Sequence, residues 1–181
     1  MKIYKDSIFT DIQVNYDYCK FINCDFTKIR LSNTYFSECV FENCNLSNVV
    51  LQEASFNDVK FFNCKMVGLQ FNDCNTFLFS VEFSECNLKL ASFYQMKLMS
   101  QHFENCNLQD VDFVEADLTN ANFDHCDLSQ AIFENSILKK ADFSSAVNYH
   151  FDPELNQIQK AKFSKDGVLG LLSKYDISIV S

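Results

Sequence analysis

The chain has 181 residues, of which 48% are apolar, with only three glycines and one proline, so one folded domain without a flexible linker is expected. Its net charge of −9 disfavours direct binding to nucleic acid. Because no stretch approaches the roughly 18 apolar residues of a membrane span, we expect a cytoplasmic protein with no membrane contact.

Residues 1–18 form the first segment of the chain. They include Phe9, Ile12 and Val14 but no continuous apolar run, which argues against a signal peptide. We predict that this segment is an N-terminal cap or an imperfect first coil of the structure that follows.

A five-residue repeat dominates residues 19–146. From Phe21 to Phe143, Phe, Leu or Met occupies every fifth position, 24 times in all, with one two-residue slip between Phe71 and Phe83. A period of five fits neither a helix nor a flat strand. It predicts a solenoid in which each five-residue unit forms one side of a coil and points its central residue inward.

The cysteines indicate how many sides each coil has. All nine lie two residues before a central position, and Cys24, Cys44 and Cys64 are twenty residues apart. The same spacing separates the later cysteines once the slip is allowed for. Twenty residues therefore make one turn with four sides.

The units Ala116 to Asn120 and Ala121 to His125 resemble the signature of the pentapeptide-repeat proteins, in which Ala is followed by Asp or Asn and then by Leu or Phe. This resemblance covers roughly residues 19–146. It implies an all-β fold, a right-handed quadrilateral parallel β-helix.

The cysteines also raise the question of metal binding. Cysteines of successive coils stack in single file at about 4.8 Å, whereas a tetrahedral zinc site needs four sulfurs around one metal. The same spacing is unfavourable for disulfides. We therefore predict buried, reduced cysteines, with no metal and no cofactor.

The slip at residues 72–81 is the first candidate contact surface. One side must accommodate seven residues there instead of five, which predicts a bulge. Phe77 and Phe79 are candidate partner-binding residues because at least one aromatic side chain should be exposed. The alternative is that the segment only accommodates the extra residues.

The last coils are the second candidate surface. Residues 101–146 hold nine acidic and two basic residues, a net charge of −7. Over a rise of roughly 11 Å this is about one net negative charge per 1.6 Å, close to the ~1.7 Å per charge of duplex DNA. Ordinary solvation of a rod is the competing explanation. The acidic residues, all predicted at outward positions on the four faces, are Glu104, Asp110, Asp112, Glu115, Asp117, Asp124, Asp127, Glu134 and Asp142.

We do not expect an enzyme. His102 and His125 should point to solvent, and the sequence has no G-x-S-x-G, H-E-x-x-H or glycine-rich phosphate loop. A solenoid filled by its own side chains also leaves no obvious internal pocket.

Residues 147–181 depart from the repeat and predict a C-terminal capping and dimerisation module. Ser164 is placed to cap a helix, and residues 177–180 are predicted to form a short strand. The module has more apolar residues than capping requires. Its predicted dimer-interface residues are Val168, Leu169, Leu171, Leu172, Tyr175, Ile177, Ile179 and Val180.

Residues 167–180 are similar to the C-terminal module of the Qnr quinolone-resistance and MfpA-type pentapeptide-repeat proteins. The resemblance implies a homodimer that mimics DNA and binds a type II topoisomerase, chiefly DNA gyrase, with topoisomerase IV as another target. The alternative is a scaffold or immunity protein that binds a different partner through its flat faces.

Overall fold

The five-residue repeat folds, as predicted, into a four-sided parallel β-solenoid. The computed structural model describes residues 1–175, 177 and 178. Nine parallel strands stack along one side of the rod, so eight turns separate the first strand from the last. In order along the sheet they are β1 (Lys2–Lys5), β3 (Cys19–Ile22), β5 (Val40–Glu42), β7 (Val59–Phe62), β8 (Val81–Ser84), β9 (His102–Glu104), β10 (Asn122–Asp124), β11 (Asp142–Phe143) and β12 (Lys162–Phe163).

We number the four faces in chain order. Face 1 carries the nine-stranded sheet and has Phe21 among its central residues. Face 2, with Phe26, and face 3, with Leu31, are joined between coils by single bridges such as Asp25 to Asn45 on face 2. Face 4, with Phe36, carries a three-stranded parallel sheet in its first half, made of β2 (Asn15–Asp17), β4 (Tyr35–Ser37) and β6 (Ser55–Asn57).

The core is a stack of central side chains. Phe83, Phe103 and Phe123 follow one another on face 1, with ring centroids 5.6 Å and 5.4 Å apart and ring planes within 4° of parallel. Rings from adjoining columns meet edge to face, as Phe93 and Phe103 do at 5.8 Å. These are the arrangements that aromatic quadrupoles favour.

Each coil turns its corners with left-handed backbone. Twenty-five non-glycine residues among those described have φ between 48° and 63°, nearly all of them two positions after a central residue. In that conformation the corner N–H reaches the next coil, as Glu115 N–H does to the Glu134 carbonyl at 2.9 Å. Left-handed backbone disfavours most side chains but is tolerated by Asn and Asp.

All nine cysteine side chains are buried and present as free thiols. Many donate from Sγ to carbonyl oxygens, as Cys44 does to Glu42 at 3.4 Å and to Phe21, in the coil before, at 3.5 Å. Burial raises the pKa of Cys39 to about 11 and also raises the pKa of Cys74. Both thiols are therefore protonated at neutral pH.

The two ends of the solenoid differ. At the N-terminus, residues 2–18 form an opening coil in which Tyr4 is in register with Phe21 and stacks on it at 5.0 Å. At the C-terminus, the coil continues beyond Ala146, because β12 pairs with β11 and Phe163 stacks on Phe143 at 5.4 Å. The solenoid therefore extends past residue 146, where the five-residue sequence repeat ends.

The described part of the chain also contains three 3-10 helices: η1 (Phe71–Asp73), η2 (Pro153–Leu155) and η3 (Gly167–Tyr175). Ser164 caps η3 as predicted, since its hydroxyl accepts the Gly167 N–H at 2.9 Å. Ile177 and Ser178 are not in a strand, and the rest of the predicted strand, Ile179 and Val180, lies outside the described residues. Gly170 packs so closely on the chain that an added Cβ would lie 2.0 Å from the Tyr149 carbonyl oxygen.

The corners predict a stability difference. Leu90 has φ 62° at an exposed corner, so Leu90→Asn should raise the free energy of unfolding by about 1 kcal/mol. The reverse change at an equivalent exposed corner, Asn120→Leu, should lower it by a similar amount. Urea denaturation of both variants measures the difference, and equal midpoints would contradict this account of the corners.

The buried thiols predict slow chemistry. A thiol-alkylating reagent at neutral pH should modify all nine cysteines rapidly in urea but far more slowly in the native protein. Rapid native labelling of most thiols, followed by mass spectrometry, would show that the core is open.

Because the pKa of Cys39 is raised from 9.0 to about 11 on folding, its contribution to stability is present below pH 9 and is lost as the pH rises towards 11.

Candidate partner-binding surfaces

The nine acidic residues of the last coils are distributed around the rod. Glu104, Asp124 and Asp142 lie on face 1, and Asp127 lies on face 2. The others are Asp112 and Glu134 on face 3, Asp117 on face 4, and Asp110 and Glu115 at the corners that follow faces 2 and 3. No single face collects them.

Several of these aspartates also hold the backbone in place. Asp112 accepts the Val114 N–H at 2.9 Å, and Asp117 accepts the Thr119 N–H at 3.0 Å together with the Thr119 hydroxyl at 2.6 Å. Asp127 and Asp142 repeat this arrangement with the serines two positions later. The side chain of Asx residues commonly accepts from the backbone in this way.

These contacts change the predicted exposure of the carboxylates. Glu104, Glu115 and Glu134 are exposed, whereas the six aspartates are half-buried. The prediction that all nine sit at outward positions is correct in that none is buried. Asp112, Asp117 and Asp124 are only half-buried at these positions, because their carboxylates lie against the backbone or neighbouring side chains.

Some of the negative charge is compensated by neighbouring groups. Lys162 pairs with Asp142 at 2.8 Å, and Lys89 lies 3.6 Å from Asp110. The Ser145 hydroxyl donates to Asp124 at 2.8 Å and lowers the pKa of that carboxyl, so Asp124 is ionised at neutral pH. The negative charge is therefore partly neutralised on face 1 and at the corner that follows face 2.

The two basic residues of this region lie together. Lys139 and Lys140 are the only lysines or arginines in residues 101–146, and both are exposed beside Leu138, a central residue of face 4. Faces 1 to 3 of the last coils are thus acidic, whereas face 4 is not. The sequence analysis placed the acidic residues on all four faces but did not compare the net charge of one face with that of another.

The slip at residues 72–81 places its two aromatic side chains differently. Phe79 packs against the core, with its ring 6.1 Å from that of Phe71 and 6.5 Å from that of Phe56. Phe77 is 79% exposed, and its N–H donates to the Asn75 side chain at 2.9 Å. The next coil keeps its register, since Phe61 pairs with Phe83.

Two clefts flank the slip. One, of about 340 Å³, lies beside Phe77 and Phe79 and is floored by Met96. The other, of about 520 Å³, runs from Ser80 towards Gln101 and His102. Sequence reasoning missed Leu78 and Met99, which are both largely exposed near these clefts, because it followed only the aromatic residues of the slip.

The predicted dimer residues of the C-terminal module are mostly accessible. Val168, Leu169, Tyr175 and Ile177 are exposed, and Leu172 is half-buried. Leu171 instead packs into the core of its own chain, so it is unsuited to an interface. Lys174 anchors the segment by pairing with Asp152 at 2.7 Å and Glu154 at 2.8 Å.

The described residues offer no arrangement for metal chemistry, since no three His, Cys, Asp or Glu side chains converge within them. His102, His125 and His150 are exposed. Within residues 1–175, 177 and 178 there is also no helix with the length and apolar character needed to cross a bilayer.

The fold resembles solved structures at low sequence identity. A trypsin-treated variant of QnrB1, described as a plasmid-mediated fluoroquinolone resistance protein, has 17% identity and a TM-score of 0.60 over 99% of this chain and 98% of that one. A second QnrB1 variant has 19% identity and a TM-score of 0.51 over the same shares. HetL, from the cyanobacterium Nostoc, has 14% identity and a TM-score of 0.39 over 90% of this chain and 84% of its own.

No curated protein matches the sequence. A family model described as a pentapeptide repeat region matches residues 14–93 and 76–143, which together span more than half of the sequence. The chain therefore belongs to the pentapeptide-repeat family.

Proposed function

We propose that the protein is a non-enzymatic DNA mimic that binds a type II topoisomerase, with DNA gyrase as the first target and topoisomerase IV as the second. The observation that carries the proposal is the net charge of −7 on a folded rod, in residues 101–146. A rod with a charge density near that of DNA suits a protein groove that binds DNA. Because the proposed partner is DNA gyrase, we also propose that the protein acts in the cytoplasm.

Two further features support the proposal. The fold matches QnrB1, a fluoroquinolone resistance protein, along 99% of this chain. The acidic residues of the last coils lie on all four faces and at two corners, so that a partner could contact charge from more than one side of the rod, as it does around a duplex. On this basis we propose that the protein alters the response of gyrase to quinolones.

The second candidate function is a scaffold or immunity protein with another partner. The exposed Phe77 favours it, since aromatic side chains are typical anchors in protein interfaces and this one lies beside a cleft. Phe79 anchors the slip to the core by packing on Phe71. A gyrase supercoiling assay with and without a fluoroquinolone separates the two functions.

The charge of the last coils predicts a specific loss of activity. Changing Asp112, Asp117 and Asp124 to Asn and Glu115 to Gln should abolish gyrase inhibition while the fold is kept, because Asn retains the oxygen that accepts the backbone N–H. Added salt should weaken the wild-type complex, as it screens exposed charges. Supercoiling assays and denaturation midpoints measure the two properties separately.

A matched variant tests whether position matters. Asp6, Asp11 and Asp73 changed to Asn and Glu53 changed to Gln remove the same charge from exposed sites outside the last coils. This variant should inhibit gyrase nearly as well as the wild type. Equal losses from both sets would remove the special role of residues 101–146, and a wild-type protein that does not compete with DNA would leave the scaffold function.

The exposed C-terminal residues predict a dimer. We propose that η3 and the residues after it pair two copies, because Val168, Leu169 and Tyr175 present apolar surface that is exposed among the residues the structure describes. Leu169→Glu should shift a micromolar dimer to monomer in analytical ultracentrifugation, since it places an unpaired charge in an apolar contact. Gln52→Glu, which adds the same charge at an exposed site on face 3, should leave the dimer intact, and a monomeric wild type would refute the interface.

A further inference from the structure

One edge of the rod carries an ordered change of charge along its length. We call the corner between face 4 and face 1 the 4–1 edge, and its residues stack one per coil. The Ser80 hydroxyl, for example, donates to Asp58 of the coil before at 2.9 Å, and Asn120 N–H donates to the Lys139 carbonyl of the coil after at 2.9 Å. From the N-terminal end, the edge reads Tyr18, Glu38, Asp58, Ser80, Ser100, Asn120, Lys140 and Lys160.

The charges of this edge are placed symmetrically about Ser100. Asp58 lies two coils before Ser100 and Lys140 lies two coils after it. Glu38 and Lys160 lie three coils before and after. All four charged side chains are exposed. Since coils are evenly spaced at about 4.8 Å, each acid is as far from Ser100 as the base that matches it.

Such an edge is complementary to a second copy of itself. A two-fold axis that lies between two facing copies, across the rods at the level of Ser100, makes the rods antiparallel. It places Glu38 of one copy opposite Lys160 of the other, and Asp58 opposite Lys140. The same two pairs form again on the other side of the axis, as an isologous interface requires.

The surface beside the axis is apolar. Met99, next to Ser100 on face 4, is 60% exposed, and Phe77 and Leu78 project from the neighbouring coil. The axis also brings the two Lys97 side chains together, and Asp117 of each copy lies one coil away, in register with Lys97 of its own chain through a backbone β-bridge. An apolar centre with charged ends is the usual anatomy of a specific contact.

We propose that two copies of this protein associate through face 4, antiparallel and centred on Ser100. This interface is separate from the C-terminal module and does not depend on the proposed binding to gyrase. From Glu38 to Lys160 the contact is roughly 30 Å long, and three extended residues make it about 10 Å wide. This area is below that of a standard interface, so the association should be weak and sensitive to salt.

Reciprocal charge reversal tests the register. Glu38→Lys with Asp58→Lys makes the edge wholly basic, and Lys140→Glu with Lys160→Glu makes it wholly acidic. Each variant alone should self-associate through face 4 at least about tenfold more weakly than the wild type, because four facing pairs become repulsive. An equimolar mixture should recover the association, since all four pairs are again of opposite sign.

Sedimentation velocity over a concentration series, at low and high salt, measures this step. If the C-terminal dimer forms, it is common to all samples, and face 4 association then appears as a further step from dimer to larger species. Lys28→Glu with Lys65→Glu changes two exposed lysines of face 2 and should leave the step unchanged. Wild-type behaviour of either reversed variant, failure of the mixture to recover, or no such step in the wild type would each overturn the proposal.

Discussion

The stacking of central side chains from one coil to the next is the interaction on which the rest of the molecule depends. It buries a continuous column on every face and holds each coil at the spacing that the β-bridges need. The corners make this stacking possible, because their left-handed residues turn the chain so that the next central residue points inward. The faces that meet solvent are therefore flat, and their chemistry is set by the two residues that flank each central position.

Much of this fold could be predicted from the sequence, because every five-residue unit has to bury one large apolar side chain at its centre. The twenty-residue spacing of Phe83, Phe103 and Phe123 indicated that these residues share one face and that one coil contains twenty residues. The C-terminal boundary could not be predicted so well. Phe163 continues the face 1 column, and the strand pairing continues with it. The five-residue pattern is nevertheless interrupted, because the next large buried residue after Phe143 is Tyr149, which is out of phase with the repeat.

The candidate surfaces were predictable as composition and less so as geometry. The excess of acidic residues in residues 101–146 is visible in the sequence, whereas the half-burial of Asp112 and Asp117 follows from local hydrogen bonds that compete with exposure. Likewise, only the structure distinguishes Phe79, which fills the core, from Phe77, which does not. A pattern of central residues cannot assign such roles where the pattern itself is broken.

The slip has a consequence for how such a chain can change over evolutionary time. Its two additional residues are absorbed within one side, and Phe83 returns to the column of Phe61 without displacement of later coils. Any insertion whose two ends fit the length of one side, as Cys74 and Val81 do, would likewise leave the later coils in place. The solenoid can therefore acquire loops of new length and sequence at such a position while its scaffold is conserved, which separates the evolution of recognition from that of folding.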